Sequence, residues 1–151
     1  MNARTHVDEV RAQKRAEALA CGIDDALISR LVEGFYDTVR RDASLGPIFE
    51  RHVKDWSIHL GRMKNFWASI MIESGRFNGS PMQKHIAVGG LNAEHFSHWQ
   101  RIWGETLTRL VPDTVAEERF RQAARRIGES LLTGIEVDRG GLAAISARSA
   151  S

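Results

Sequence analysis

Between Leu27 and Val39 the apolar residues fall at Leu27, Ile28, Leu31, Val32, Phe35 and Val39. Steps of three and four gather such a set on one stripe of an α-helix. A strand, with a period of two, would scatter it over both faces. The spacing returns in Trp56, His59, Met63, Phe66, Trp67 and Ile70, and again in Phe96, Trp99, Trp103, Leu107 and Leu110. It returns a last time in Phe120, Ala123, Ala124, Ile127, Leu131 and Ile135. Alternating polar and apolar runs are missing, and no Asn-Gly or Asp-Gly turn stands between β-branched segments. The chain therefore reads as all-α.

Helix punctuation divides it further. Val7 to Ala20 is rich in helix formers but has a weak stripe, so it reads as a peripheral helix ended by Gly22. Asp24 or Asp25 caps the next, which runs to about Asp42. Gly46–Pro47 breaks the pattern and delivers Ile48 and Phe49 at a corner. Asp55 opens a long helix through "DWSIHLGRMKNFWASIMIESG", and "GRFNGS" is a loop. A helix from Asn92 to Val111 follows a short one, and Pro112–Asp113 or Thr114 starts the last. The short one lies within "SPMQKHIAVGG", residues 80–90. There the Ser80 hydroxyl is expected to cap, Pro81 suits a first helical position, and Gly89–Gly90 stop the element within two turns.

A length of 151 residues suits one domain with a sizeable core. A formal charge of +2 without a long basic run gives no electrostatic case for nucleic acid. One cysteine, Cys21, permits neither an internal disulfide nor a Cys-rich zinc site. The first residues are charged throughout, and no apolar stretch is long enough to cross a bilayer, so membrane insertion is not expected and a cytoplasmic location is the default. Phosphate-loop, dinucleotide and nucleophile-elbow motifs are missing. His95 and His98, three apart on a helix, could bring two imidazoles to one metal, but a partly polar helix face is the plainer reading.

What stands out is His85, a single imidazole among Met82, Ile86 and Val88 on its own short helix. Trp56, Trp67 and Trp99 lie on helix faces that also present Tyr36, His59, Met63 or Phe96. An aromatic-lined pocket with one opposing imidazole suits a haem, whose large apolar ring wants such walls and whose iron wants an axial nitrogen.

Four segments in order, "GFYDTVRRDASLGPIF", "HLGRMKNFWASIM", "GSPMQKH" and "HFSHWQRIW", resemble the truncated haemoglobins, specifically the third, bacterial group. The matches run from about Leu27 to about Leu107. The resemblance implies a globin-like, shortened, two-on-two helical sandwich around a haem b pocket. It divides the chain into a helical N-terminal extension (1–22), a truncated globin domain (23–139) and a tail without order (140–151). It makes His85 the proximal iron ligand, Tyr36 the distal tyrosine and Trp99 the tryptophan that donates to bound ligand. His59 falls at the distal position, aimed either at the ligand or at solvent as a gate. Phe49 packs on the haem face. Met63, Trp67, Phe96, Met82, Trp56 and Trp103 complete the wall or its rim. Arg62 and Lys84 are candidates to meet the propionates.

The implied function is binding of oxygen, nitric oxide or carbon monoxide, with ligand or redox chemistry favoured over oxygen transport. Nitric oxide dioxygenase or peroxidase-like turnover would need a separate reductase, because no flavin or nicotinamide motif is present. The alternatives are a ligand sensor acting through a partner and a haem-free helical scaffold.

Overall fold

The computed structural model describes residues 3–140. Seven helices follow one another: α1 (Ala3–Ala20), α2 (Asp25–Arg41), α3 (Gly46–His52), α4 (Trp56–Ile72), α5 (Pro81–Val88), α6 (Ala93–Leu110) and α7 (Thr114–Gly140). No strand occurs among the described residues. Helix α2 packs on α4, and α6 packs on α7. Contact between α2 and α6 joins the two pairs, which is the expected two-on-two sandwich. A turn at Cys21 and Gly22 separates α1 from α2. The tail expected to lack order lies, from residue 141 on, outside the described residues.

The core is built from the stripes that the spacing predicts. Leu27, Ile28, Leu31, Val32, Phe35 and Val39 of α2 are all buried, as are Trp103 and Leu107 of α6 and Phe120, Ala123 and Ala124 of α7. Burying side chains of this size contributes about 1.5–3 kcal/mol for each large one. Caps set the helix starts. Asp24 accepts the Leu27 N–H, Asp55 the Ile58 N–H and Asp113 the Ala116 N–H. At α6 the capping is reciprocal, with Asn92 accepting from the His95 N–H while His95 Nδ1 accepts from the Asn92 N–H. That places the His95 ring in a structural bond rather than at a metal.

Three boundaries differ from the sequence reading. The corner at Gly46–Pro47 is itself a short helix, α3, because Pro47 supplies the helical φ and needs no N–H at this position. Helix α4 stops at Ile72, where Glu73 turns left-handed at φ 53. The Ser80 hydroxyl makes no capping bond; the residue sits at φ −123 and ψ 81, and its carbonyl instead accepts the Lys84 N–H. The other end of α5 is as expected, with Gly89 and Gly90 at φ 72 and φ 75, a region open to glycine at no steric cost.

Helix α1 buries only Ala18. Its Arg15 side chain donates to the Ile72 and Glu73 carbonyls at the end of α4, 3.2 and 3.4 Å away.

Candidate functional site

The residues from which the site is built come from four elements. Tyr36 is on α2, Phe49 on α3, Trp56 and His59 on α4, and His85 on α5. The α2–α3 corner is fixed by Asp42, which accepts the Ser44 and Leu45 N–H groups and so closes one helix and opens the next. His98 of α6 meets the same carboxylate, Nε2 to Oδ1 at 2.7 Å. Burial of Asp42 pushes its pKa up, but those two backbone N–H groups and His98 outweigh it, and the carboxyl titrates below its usual range.

That corner brings four rings together. Tyr36 stands edge-on to Phe49, Trp56 and His59, with centroids 5.5, 5.8 and 5.0 Å apart. Trp56 and His59, one turn apart on α4, meet edge-on at 5.6 Å. Tyr36 is 7% exposed, and burial raises its phenol pKa well above the ordinary value, so the hydroxyl keeps its proton and can donate. His59 has its pKa lowered by burial first, then by the Arg62 and Lys84 charges, so it stays neutral. Two polar atoms in this cluster are buried without a hydrogen-bond partner among the described residues: Trp56 Nε1 and His59 Nε2.

His85 lies on α5. Its Nδ1 lies 2.6 Å from the Pro81 carbonyl oxygen. A carbonyl can only accept, so Nδ1 carries the proton, and in the neutral ring Nε2 keeps a free lone pair. Second-partner bonds of this kind fix the tautomer and direction of metal-ligating imidazoles. Phe96 lies beside the His85 ring at 6.5 Å. Helix α5 buries none of its own residues and rests chiefly on α7. There Met82 fills the space that a side chain at Gly134 would occupy, and Arg139 donates to the Leu91 carbonyl just past α5. The approach to α5 is held by Phe77, edge-on to Phe66 at 5.1 Å, with its N–H donated to Ser69 Oγ.

The remaining expected residues sit further back. Met63 is partly buried against the core. Trp99 is half-buried; it and Tyr36 both pack edge-on against Phe35, at 6.1 and 5.0 Å. Trp103 is 1% exposed and stacks on Trp67 at 4.5 Å, with Trp99 parallel to it at 6.5 Å and Phe120 at its edge. Trp67 and Trp103 are thus centres of the aromatic core, their faces occupied by other rings. Sequence spacing did not reveal Arg40, whose guanidinium lies 4.3 Å over the Trp56 ring and pairs with Glu50 at 3.3 Å. Nor did it reveal the Asp42–His98 link, whose partners are 56 residues apart.

No protein-family model matches the chain. It is 35% identical over 89 residues to the Group 3 truncated hemoglobin ctb of Campylobacter jejuni, an alignment that covers 56% of this chain and 70% of that protein. The crystal structure of a group III truncated hemoglobin from Campylobacter jejuni superposes with a TM-score of 0.71 at 29% identity, covering 75% of this chain and 91% of that one. An all-α, two-on-two architecture and this degree of identity over most of a relative's length agree, and the chain belongs to the group III truncated haemoglobins.

Proposed function

We propose that this chain is a haem b globin that binds diatomic ligands, with His85 as the axial iron ligand. The observation that carries the reading is the His85 Nδ1–Pro81 contact, which leaves the Nε2 lone pair free. The aromatic cluster around Tyr36 fits the group as well: it is apolar, and it holds two buried nitrogens that lack partners. Phe49, Met63, Trp56, Met82 and Phe96 would contribute the wall, and Arg62 and Lys84 would balance the propionates. A haem supplies an iron that takes up oxygen, nitric oxide or carbon monoxide. The protein's own contribution is donors. Tyr36 offers a hydroxyl that burial keeps protonated, Trp99 an indole N–H and His59 the single N–H of a neutral ring. Each hydrogen bond to a partly charged acceptor contributes about 1–3 kcal/mol. Two of them slow ligand escape by on the order of a hundredfold. Slow release suits ligand or redox chemistry better than transport, with electrons from a separate reductase.

The test is the absorption spectrum of the protein supplied with haem, ferric and then ferrous under carbon monoxide. A stoichiometric histidine-ligated spectrum that is lost in His85→Ala is expected. A His85→Ala spectrum like that of the wild type would refute the axial assignment.

A further inference from the structure

The distal cluster contains more polar capacity than Tyr36, Trp99 and His59 account for. Trp56 Nε1 is buried, and no group among the described residues accepts its proton. An orphaned buried N–H is costly, and such groups in native proteins ordinarily have a partner. The indole carrying it is not loose. One face looks into the cluster, edge-on to Tyr36 and His59 and tilted at 6.4 Å to Phe49. Against the ring lies the Arg40 guanidinium, 4.3 Å from the centroid, and Arg40 is itself tied to Glu50. Arg40 belongs to α2, Glu50 to α3 and Trp56 to α4, so one strap crosses three elements and fixes the indole. A cation over the ring also draws electron density from it and makes the N–H a better donor. The second orphaned atom, His59 Nε2, lies one turn further along α4. The indole N–H can only donate, and the ring beside it, 5.6 Å away, also holds a buried nitrogen without a partner among the described residues.

We propose that Trp56 is a ligand-facing donor, its indole N–H held by the Arg40–Glu50 strap and offered to a small anion in the distal chamber. Trp56 thereby acts beyond wall packing, and Arg40 is a positioning residue. The inference rests on the haem reading above.

Fluoride added to the ferric, haem-loaded protein is the probe. Fluoride accepts hydrogen bonds strongly, whereas carbon monoxide on the ferrous protein accepts them poorly. Trp56→Phe keeps an aromatic ring and removes the N–H. It is expected to weaken fluoride binding about tenfold, the loss of one charge-assisted hydrogen bond, and to weaken carbon monoxide binding by a distinctly smaller factor. Arg40→Ala is expected to weaken fluoride binding several-fold, and Arg40→Lys to recover part of that loss. Equal fluoride affinity in wild type and Trp56→Phe, both with the same haem spectrum, overturns the proposal and leaves the haem reading standing. Parallel losses for fluoride and carbon monoxide also overturn it, since they mark a packing defect. Arg40 is about half exposed, so its variants decide the question even where Trp56→Phe does not fold: unchanged fluoride affinity in Arg40→Ala refutes the strap. A wild-type protein that takes up no haem removes both readings together.

Discussion

Gly46→Ala adds one methyl group where the α2–α3 corner has no space for it. A Cβ at Gly46 would stand 2.9 Å from the Arg40 carbonyl oxygen and 3.2 Å from that of Val39. Both atoms are backbone in the last turn of α2, so neither can rotate away. Restoring ordinary contact at 3.4 Å needs a retreat of about 0.5 Å (3.4 − 2.9) between the two helices. Forcing a methyl into a packed site costs about 1–3 kcal/mol. Alanine's better helix propensity returns at most about 1 kcal/mol, and less at a first helical position. The net loss is therefore about 1–2 kcal/mol. With a urea slope of about 2 kcal/mol/M for a domain of this size, the midpoint should fall by roughly 0.5–1 M. Urea unfolding followed by far-UV circular dichroism, with both proteins in the same haem state, measures this directly. A midpoint equal to or above that of the wild type would refute the claim that the corner is closed against a side chain.

Other expectations concern charge and the seating of α5. The Tyr36 phenol has a raised pKa in the folded protein, so its contribution to stability is complete below pH about 10 and is lost as pH rises beyond that. An ultraviolet titration should show the tyrosinate band appearing together with unfolding, and a band appearing near pH 10 in the folded protein would contradict the burial. Asp42 has a lowered pKa, so its contribution is present above the ordinary carboxylate range and is lost as pH falls through the folded value. Asp42→Asn should cost about 1–2 kcal/mol at neutral pH and much less in acid, as read from urea midpoints at the two pH values; an equal cost at both would be the wrong sign of linkage. Gly134→Leu should displace Met82 and accelerate haem loss to a scavenging apoglobin, with little change in helix content. An unchanged rate of haem loss would show that α5 does not depend on that contact.

The parts of the fold set by local chemistry were legible in the sequence. The α2 stripe is buried as the spacing requires, and Asp24, Asp55, Asn92 and Gly89 mark helix ends because caps and left-handed turns are decided within a few residues. Helix α3 is only seven residues long, too short to express a period, so it reads as a corner. Ser80 looks like a cap by type, but its backbone takes a conformation that leaves the hydroxyl unused. At the site, the family motifs pointed to Tyr36, Phe49 and His59, which the fold does assemble. Nothing local ties Asp42 to His98, or Arg40 to Trp56, because these contacts exist only once separate helices cross. The same holds for the stack of Trp67 on Trp103. Each sits on an apolar stripe, and the stripe does not say whether it faces a cavity or another ring.

Helix α5 has a further consequence for how the molecule comes apart. It contributes no buried residue and is hung on α7 by Met82 over Gly134 and by Arg139 at Leu91. The paired helices behind it hold the large buried side chains. Segments with few buried contacts open locally at free energies well below that of global unfolding. The segment carrying His85 is therefore expected to exchange its amide protons and to be cut by a protease before the core helices α2, α6 and α7. The His85 imidazole can therefore move with α5 while the four-helix sandwich stays folded, so its position depends on this one attachment to α7 rather than on the stability of the core.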